Sequence, residues 1–403
     1  MAEIDASPRR RTRIANAYTQ LAHALLNVLI VFVLLNGALS MFPGLRASAQ
    51  VDSPIRFFGL DRIALAYPGW TAADVERLHE ESRVVFAYEP VLQFRIRPIT
   101  GTYVNVGPQG LRSNKRPAVW PPTAEAFNVF VFGGSTTFGW LLPDRETIPS
   151  FLQDRIDRAE CARPVRVHNF AHPSYVSTQE ALLFQRLVLA GTRPDTAIFL
   201  DGFNEFFFRG ELSYTNTLTR MVDGTDLTTR LGLLTRLPLY QMLRRFNARF
   251  YRDPVLEPVE ERKLFDRVIA QYERSRALAR MVASAHGIHL LFGWQPIASY
   301  EYDLSQHFLY RDNPPVGETD RPFPNIARGY ALMNTRRSAL EADGDFLWLA
   351  DMQQGVRENL YVDRVHYNSV ASSRIADRLF VRLQSQGMLP CSSGDAGHSS
   401  AER

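Results

Sequence analysis

The chain has very little cysteine: among its 403 residues only Cys161 and Cys391 are cysteines. Neither stands at the spacing of a zinc site, and two cysteines cannot form one unaided. No group of histidines and carboxylates elsewhere shows ligand spacing either. We therefore expect no structural metal ion and no bound cofactor.

The net charge is also low: the chain has 46 lysines and arginines and 42 aspartates and glutamates, which gives +4. Outside the N-terminus the basic residues form no long run, so we expect no nucleic-acid partner. The hydrophobic share of 45% fits one large globular domain with additions, or two smaller domains.

The N-terminus carries the longest apolar run, from about residue 21 to 42, after a cluster of four arginines at positions 9, 10, 11 and 13. About 20 such residues cross a bilayer as a helix. The arginines should stay cytoplasmic, which predicts a single-pass anchor in the inner membrane and a periplasmic remainder. A cleaved signal peptide is the alternative, since 47–49 (ASA) resembles a cleavage site. The run exceeds a usual h-region, which favours the anchor.

An exported chain can form disulfides, so Cys161 and Cys391 are candidates for a pair. Cys161 follows a predicted helix, and Cys391 follows the last one. A bridge would attach the C-terminus to the body of the domain. Two unpaired thiols are an equally open alternative.

From residue 127 onward, short apolar segments alternate with segments of helical periodicity. The predicted strands are 127–132, 165–170, 197–200, 288–292 and 346–349, and the predicted helices are 147–160, 177–190, 259–286 and 370–386. Such alternation predicts a flavodoxin-like α/β/α sandwich around a parallel sheet. We expect this catalytic domain to span 126–390, with the anchor at 21–42 and a cytoplasmic segment at 1–20.

Three further segments flank or interrupt the predicted domain. For residues 43–125 we predict an extension packed on the core, with a helix at 71–83 and short strands within 91–106. An aromatic insertion at about 206–256 indicates a helical cap, with a substrate lid or a membrane contact as alternatives. The small, polar tail at 391–403 should be disordered.

The segment 131–139 (VFGGSTTFG) is the most suggestive single motif. A buried strand ends at Gly133 and Gly134, and Ser135 follows on a tight turn that leads toward a helix. Such a turn raises the hydroxyl at a sheet edge, where neighbouring amide hydrogens can face a developing charge. Taken alone, the motif is better explained as an ordinary Gly/Ser turn without chemistry.

Polar side chains follow the other predicted strands as well. Ligands of an open parallel sheet bind at the carboxyl ends of its strands. Ser135 follows the first strand and Ser174 the second, while Asn204 follows the third and Asp363 and His366 follow the last. These residue types suit acyl transfer, and their common location indicates a single site.

With these residues in place, the chain resembles the SGNH hydrolases, also called the GDSL esterase/lipase family. The family's blocks appear in order as 133–135 (GGS), 169–179 (NFAHPSYVSTQ), 202–205 (GFNE) and 363–366 (DRVH). The likeness covers about 127–386. It departs from the family at Gly134, where Asp is usual, at Ser174, where glycine is usual, and at Glu205 for Asp.

The resemblance implies the SGNH hydrolase fold and a set of roles. Ser135 would be the nucleophile, His366 its base and Asp363 the residue that orients the imidazole. The oxyanion hole would comprise the backbone N–H groups of Ser135 and Ser174 and the side-chain amide of Asn204.

Other site residues are less specific. Gly134 lies beside the nucleophile, and Trp294 and Gln295 could line a shallow polar groove for carbohydrate. His172 could be a second base or a ligand, but a hydrogen-bonded loop histidine is the simpler interpretation. Asp201 and Glu205 could form a glycosidase pair, although nothing else supports that.

The sequence thus predicts an extracytoplasmic serine esterase whose substrate is an O-acylated carbohydrate or lipid. The same residues would serve an O-acyltransferase that modifies an envelope polysaccharide. A non-catalytic, anchored scaffold subunit of polysaccharide assembly is the second alternative. Neither the individual substrate nor the oligomeric state follows from the sequence.

Overall fold

The computed structural model describes residues 8–41, 54–116, 120–211, 237–240, 242, 256–317 and 320–391. The chain divides into two units: 1–49 together with 216–255, and 50–215 together with 256–403. Most of the predicted insertion, and the predicted tail beyond residue 391, lie outside the described residues.

The described part of the first unit includes a long helix, α1 (Pro8–Ser40). Its part Ala15–Ser40 is apolar over 26 residues, which is long enough to cross a membrane. It fits a single-pass anchor or a signal segment. Within the same unit, the Leu239 N–H donates to the Asn36 side-chain oxygen at 3.1 Å.

The second unit begins with an N-terminal extension of short elements. Its helices are α2 (Pro54–Phe58), α3 (Leu60–Ala64) and α4 (Ala72–Glu81), and its strands are β1 (Phe86–Glu89) and β2 (Gln93–Ile96). The two strands form an antiparallel hairpin. The predicted strands within 91–106 are thus reduced to β2 and an isolated bridge between Ile99 and Val106.

The larger part of the second unit alternates strands and helices. The strands are β3 (Phe127–Gly133), β4 (Val165–Asn169), β5 (Thr196–Asp201), β6 (His289–Trp294) and β7 (Phe346–Trp348). The helices are α5 (Ser135–Phe138), α6 (Ile148–Ile156), α7 (Ser177–Leu189), α8 (Phe203–Phe207), α9 (Pro258–Ser284), α10 (Pro324–Asn334), α11 (Arg337–Ala342) and α12 (Ser369–Ser385).

The five strands form one parallel sheet in the order β4-β3-β5-β6-β7. Counted within the sheet, this order is the flavodoxin-like 2-1-3-4-5, which confirms the predicted fold class. The chain reverses direction across the sheet beside β3, so the crevice between the carboxyl ends of β3 and β5 is where this architecture binds ligands.

Alternation along the strands builds a core on each face of the sheet. In β3, Phe130 and Phe132 enter one buried cluster, while Val129 and Val131 enter the other. The first cluster is covered by α7, α9 and α10, and the second by α6 and α12. Because both faces are buried, every residue of β3 is buried.

The N-terminal extension packs against loops that follow the sheet. Ile63 and Leu78 of the extension share a buried cluster with Leu141, Phe308 and Val362. These three residues stand after α5, between β6 and α10, and just before Asp363. The extension therefore covers the edge of the sheet at which the predicted site residues lie.

A disulfide joins Cys161 and Cys391, a pairing that the sequence left open. Beside it, the Ala162 N–H donates to the Pro390 carbonyl oxygen at 2.7 Å. The segment after α12 is thereby attached to the segment after α6.

Candidate active site

Side chains lie close to both glycines of the turn that carries Ser135. A Cβ atom on Gly133 would lie 2.4 Å from the Thr137 hydroxyl oxygen, and one on Gly134 would lie 2.5 Å from the Asn204 amide nitrogen. Ser135 then begins α5, so its N–H precedes the first intrahelical hydrogen bond. The serine is half-buried, between fully buried neighbours.

Ser135, His366 and Asp363 form one chain of hydrogen bonds. The His366 Nε2 atom lies 2.8 Å from the Ser135 hydroxyl oxygen, and its Nδ1 atom lies 2.7 Å from Asp363 Oδ2. The serine and histidine are 231 positions apart in the sequence. The sheet therefore brings together the three residues to which the family resemblance assigns catalysis.

The Asp363 carboxylate also accepts hydrogen bonds from the main chain of the turn that contains it. Its Oδ1 atom accepts the N–H groups of Val365 and His366, each at 2.7 Å. Burial alone would raise the pKa of this carboxyl, but the His366 charge and the hydrogen bonds from His366 and Val365 outweigh it. The net effect lowers the pKa of Asp363, so the group is ionised at neutral pH.

The predicted oxyanion donors surround the same turn. The Asn204 side-chain amide donates one hydrogen to the Tyr175 carbonyl oxygen at 2.7 Å. A primary amide carries a second hydrogen, which can serve a ligand. Ser174 keeps the positive φ of 69° that glycine would adopt easily. Ser135, Ser174 and Asn204 are each partly exposed.

The loop that carries Ser174 is held by main-chain hydrogen bonds. His172 N–H donates to the Gly133 oxygen at 2.9 Å, and Tyr175 N–H donates to the His172 oxygen at 3.1 Å. Glu205 then accepts the N–H of Ser177, the first residue of α7, at 2.7 Å. Asn204 and Glu205, adjacent residues of α8, therefore hold this loop by hydrogen bonds to Tyr175 and Ser177.

Behind this loop lie three buried carboxyl groups, those of Glu180, Asp201 and Glu205. Burial raises the pKa of all three, and for Glu180 and Asp201 the charges of neighbouring carboxylates add to the effect. For Glu205, hydrogen bonds from Ser177 oppose the shift, and its pKa is raised to about 7. Because Asp201 and Glu205 are buried, the glycosidase pair that the sequence allowed is not accessible to a sugar.

His172 is a buried loop histidine. Its Nδ1 atom lies 3.0 Å from the Phe170 oxygen, and its ring stacks on Tyr175 at 4.6 Å. Burial lowers its pKa to about 4 although the Phe170 hydrogen bond acts in the other direction. Among the residues that the structure describes, no group of three or more histidine, cysteine or acidic side chains could hold a metal ion.

The prediction that Trp294 lines a substrate groove is wrong. Trp294 is the last residue of β6 and is 0% exposed, because its indole packs against Tyr272 and Tyr330 on the face covered by helices. Gln295 is also buried, and its side-chain oxygen accepts the Thr136 hydroxyl at 2.7 Å. Gln295 thus links β6 to α5 and offers no groove surface.

An aromatic residue that the sequence did not single out lies beside the triad instead. The Trp140 ring meets the His366 imidazole edge-on, at 4.5 Å between centroids. Its indole N–H donates to the Ser82 oxygen of the N-terminal extension at 2.6 Å, and its backbone N–H donates to the Ser135 oxygen at 3.0 Å. Trp140 is half-buried and is five positions after Ser135.

Arg112 is a second residue that the motifs did not reveal. Its guanidinium is buried and donates to Asp144 at 2.9 Å and to the Leu142 oxygen at 2.7 Å. It also donates to the oxygens of Phe138 and Gly139. Arg112 therefore fixes the loop that follows α5.

Fold and site together define a parallel α/β sandwich with a serine–histidine–aspartate relay at the carboxyl edge of its sheet. No family model matches the chain, and no curated protein matches it. Solved structures do resemble it. One is a lipolytic protein of the G-D-S-L family from Desulfitobacterium hafniense, at 12% identity and a TM-score of 0.34, with 64% of this chain and 99% of that chain covered.

Two further structures show the same extent of likeness. A psychrotrophic esterase from Pseudoalteromonas has 12% identity and a TM-score of 0.33, over 64% of this chain and 98% of that chain. A carbohydrate acetylesterase family member from Sinorhizobium meliloti has 11% identity and a TM-score of 0.34, over 64% and 97%. Each of these three structures is covered over nearly its whole length.

Proposed function

We propose that the protein is a serine ester hydrolase that works through an acyl-enzyme. The relay of Ser135, His366 and Asp363, with successive distances of 2.8 and 2.7 Å, is the observation that carries this proposal. A serine hydroxyl is a weak nucleophile and needs an adjacent base, and the base in turn needs a group that orients it.

The proposed reaction has two halves. Ser135 Oγ attacks the ester carbonyl carbon while His366 Nε2 takes the hydroxyl proton, and the ionised Asp363 stabilises the imidazolium. The tetrahedral oxyanion is held by the N–H groups of Ser135 and Ser174 and by the Asn204 amide. His366 then gives the proton to the departing alcohol. Water repeats the sequence on the acyl-serine, and the carboxylic acid leaves.

We propose that the domain lies outside the cytoplasm, where it would act on an O-acylated carbohydrate or lipid. The long apolar helix of residues 15–40 and the arginine cluster before it support a single-pass anchor with a cytoplasmic N-terminus. A disulfide between Cys161 and Cys391 suits an oxidising compartment. Protease added to intact spheroplasts should digest the domain after residue 54; protection until the membrane is opened would contradict this orientation.

A fluorophosphonate probe tests the catalytic proposal directly, because it reacts with an activated serine. The wild-type chain should be labelled and Ser135→Ala should not. Ser150→Ala is a matched control, since Ser150 is a buried serine of the same unit that bonds to the Asp144 oxygen. No labelling of the wild-type chain, or equal labelling of Ser135→Ala, would reject the enzyme in favour of a non-catalytic scaffold.

A further inference from the structure

His307 lies outside every motif that predicted the site, in the loop between β6 and α10. It is 0% exposed, and both of its ring nitrogens are engaged. The Leu309 N–H donates to Nδ1 at 3.1 Å, and Nε2 lies 3.0 Å from the Asp363 carbonyl oxygen. Because Nδ1 accepts, the proton of the neutral ring is on Nε2 and is donated to Asp363.

The surroundings keep this ring neutral and fix its plane. The imidazole stacks on Phe308 at 5.3 Å and on Tyr361 at 5.5 Å, with 13° between the planes in both pairs. Burial lowers the pKa of His307 to about 4. The Asp363 hydrogen bond and charge act in the opposite direction, while the Arg364 charge lowers the pKa further. A ring held in this way presents its Nε2–H in one direction.

The contact from His307 is made to the main chain of Asp363 and not to its carboxylate. The Asp363 side chain is held by the N–H groups of Val365 and His366 and by the His366 ring. Its main-chain oxygen is held by His307. A shift of the Asp363 main chain would therefore alter the length or angle of the Asp363–His366 hydrogen bond directly.

His307 also connects the triad to the N-terminal extension. The Arg62 guanidinium donates to the Leu309 oxygen at 2.7 Å, two residues after His307. Phe308 and Leu309 enter the same buried cluster as Ile63 of the extension and Val362, the residue before Asp363. The His307 loop is thus packed between the extension and the turn that carries Asp363.

We propose that His307 is a positioning residue of the triad, which holds the Asp363 main chain so that the carboxylate orients the His366 imidazole toward Ser135. This inference rests on the proposed function of the triad. A misplacement of about 1 Å in a catalytic group can cost two orders of magnitude in rate. The effect should appear in kcat rather than in KM, because the aligned relay is needed in the transition state.

Four variants in the full chain test the inference, assayed by steady-state hydrolysis of 4-nitrophenyl acetate from pH 5 to 9. His307→Phe keeps an aromatic ring and loses both hydrogen bonds. His307→Gln can place an amide donor near the Nε2 position, whereas His307→Asn can replace only the Nδ1 acceptor. His168→Phe is the control, because His168 is also buried, has a pKa lowered to about 4 by burial, and bonds to Asn128 at 3.1 Å.

We expect kcat to fall by about ten- to a hundredfold in His307→Phe and His307→Asn, with KM within about twofold of wild type. His307→Gln should recover most of kcat. His168→Phe should keep the wild-type kcat, whatever it loses in thermal stability.

The inference is overturned if folded His307→Phe keeps the wild-type kcat, or if His307→Gln is as slow as His307→Asn. It is equally overturned if His168→Phe reproduces the loss. Should His307→Phe fail to fold, the comparison of the Gln and Asn variants decides. A wild-type chain that the fluorophosphonate probe does not label and that cleaves no ester refutes the proposed function instead, so the two failures are distinguishable.

Discussion

Gly134→Ala should damage catalysis through Asn204 while leaving the fold intact. The backbone of Gly134 has φ −81° and ψ −157°, which alanine adopts without strain. The added Cβ would lie 2.5 Å from the Asn204 amide nitrogen, and its nearest contact outside Asn204, the Tyr175 oxygen, lies at an ordinary 3.6 Å. The amide therefore has to move, and it is the proposed oxyanion donor.

The size of the effect is bounded by the loss of one oxyanion donor, which costs about 3–4 kcal/mol of barrier, or about 10²–10³ in kcat. We expect Gly134→Ala to approach that loss, with a free energy of unfolding within about 1 kcal/mol of wild type. Steady-state hydrolysis of 4-nitrophenyl acetate measures kcat, and urea titration followed by circular dichroism measures stability.

A double-mutant cycle with Asn204→Ala makes the test specific. Alanine at 204 removes the atom that the new Cβ meets, so the double variant should be no slower than Asn204→Ala alone. Wild-type kcat in Gly134→Ala, or a double variant whose losses multiply, would refute the assigned role of the Asn204 amide.

Three further predictions concern stability. Arg112→Ala leaves Asp144 and several main-chain oxygens without their buried donor, so urea titration should show a loss of about 3–5 kcal/mol; a loss below about 1 kcal/mol would contradict this. Dithiothreitol should destabilise the wild-type chain by about 2–5 kcal/mol and leave a Cys161→Ser/Cys391→Ser variant unchanged; an equal response of both proteins would speak against the bridge. The Glu205 pKa rises from 4.5 unfolded to about 7 folded, so the folded state binds more protons within this window and stability falls as pH rises through it. Glu205→Gln should remove up to about 3 kcal/mol of the fall in unfolding free energy between pH 5 and 8, as measured by urea titration. Parallel curves of unfolding free energy against pH for the two proteins would contradict this prediction.

The sheet could be predicted from the sequence because its signal is local. Apolar runs bounded by turn residues placed five strands within two residues of their observed ends. The convergence of Ser135, Asn204, Asp363 and His366 then followed from the rule that parallel strands deliver their carboxyl ends to one edge. Neither step required knowledge of side-chain packing.

The error at Trp294 has a physical cause. The predicted strand ended at residue 292, which left Trp294 beyond the sheet. In the structure β6 continues to Trp294, and a Cβ on Gly293 would lie 2.6 Å from a methyl group of Leu200 in β5. Glycine there permits close packing between strands, and only the neighbouring strand reveals that.

His307, Trp140 and Arg112 were not predictable for a related reason. Each acts through a main-chain oxygen far away in the sequence: His307 on Asp363, Trp140 on Ser82, and Arg112 on Leu142. Because every residue has a main-chain oxygen, a sequence motif does not show which of these oxygens accepts a hydrogen bond. Such contacts follow only from the fold, whereas the triad has side-chain types that a motif can carry.

The 231 positions between Ser135 and His366 determine when the proposed catalytic relay can form. During synthesis Ser135 emerges early, and the proposed base follows 231 positions later. The bridge between Cys161 and Cys391 can likewise form only after α12 has been made. A chain truncated before His366 would therefore contain the proposed nucleophile but lack both the base and the bridge, and we expect it to cleave no ester.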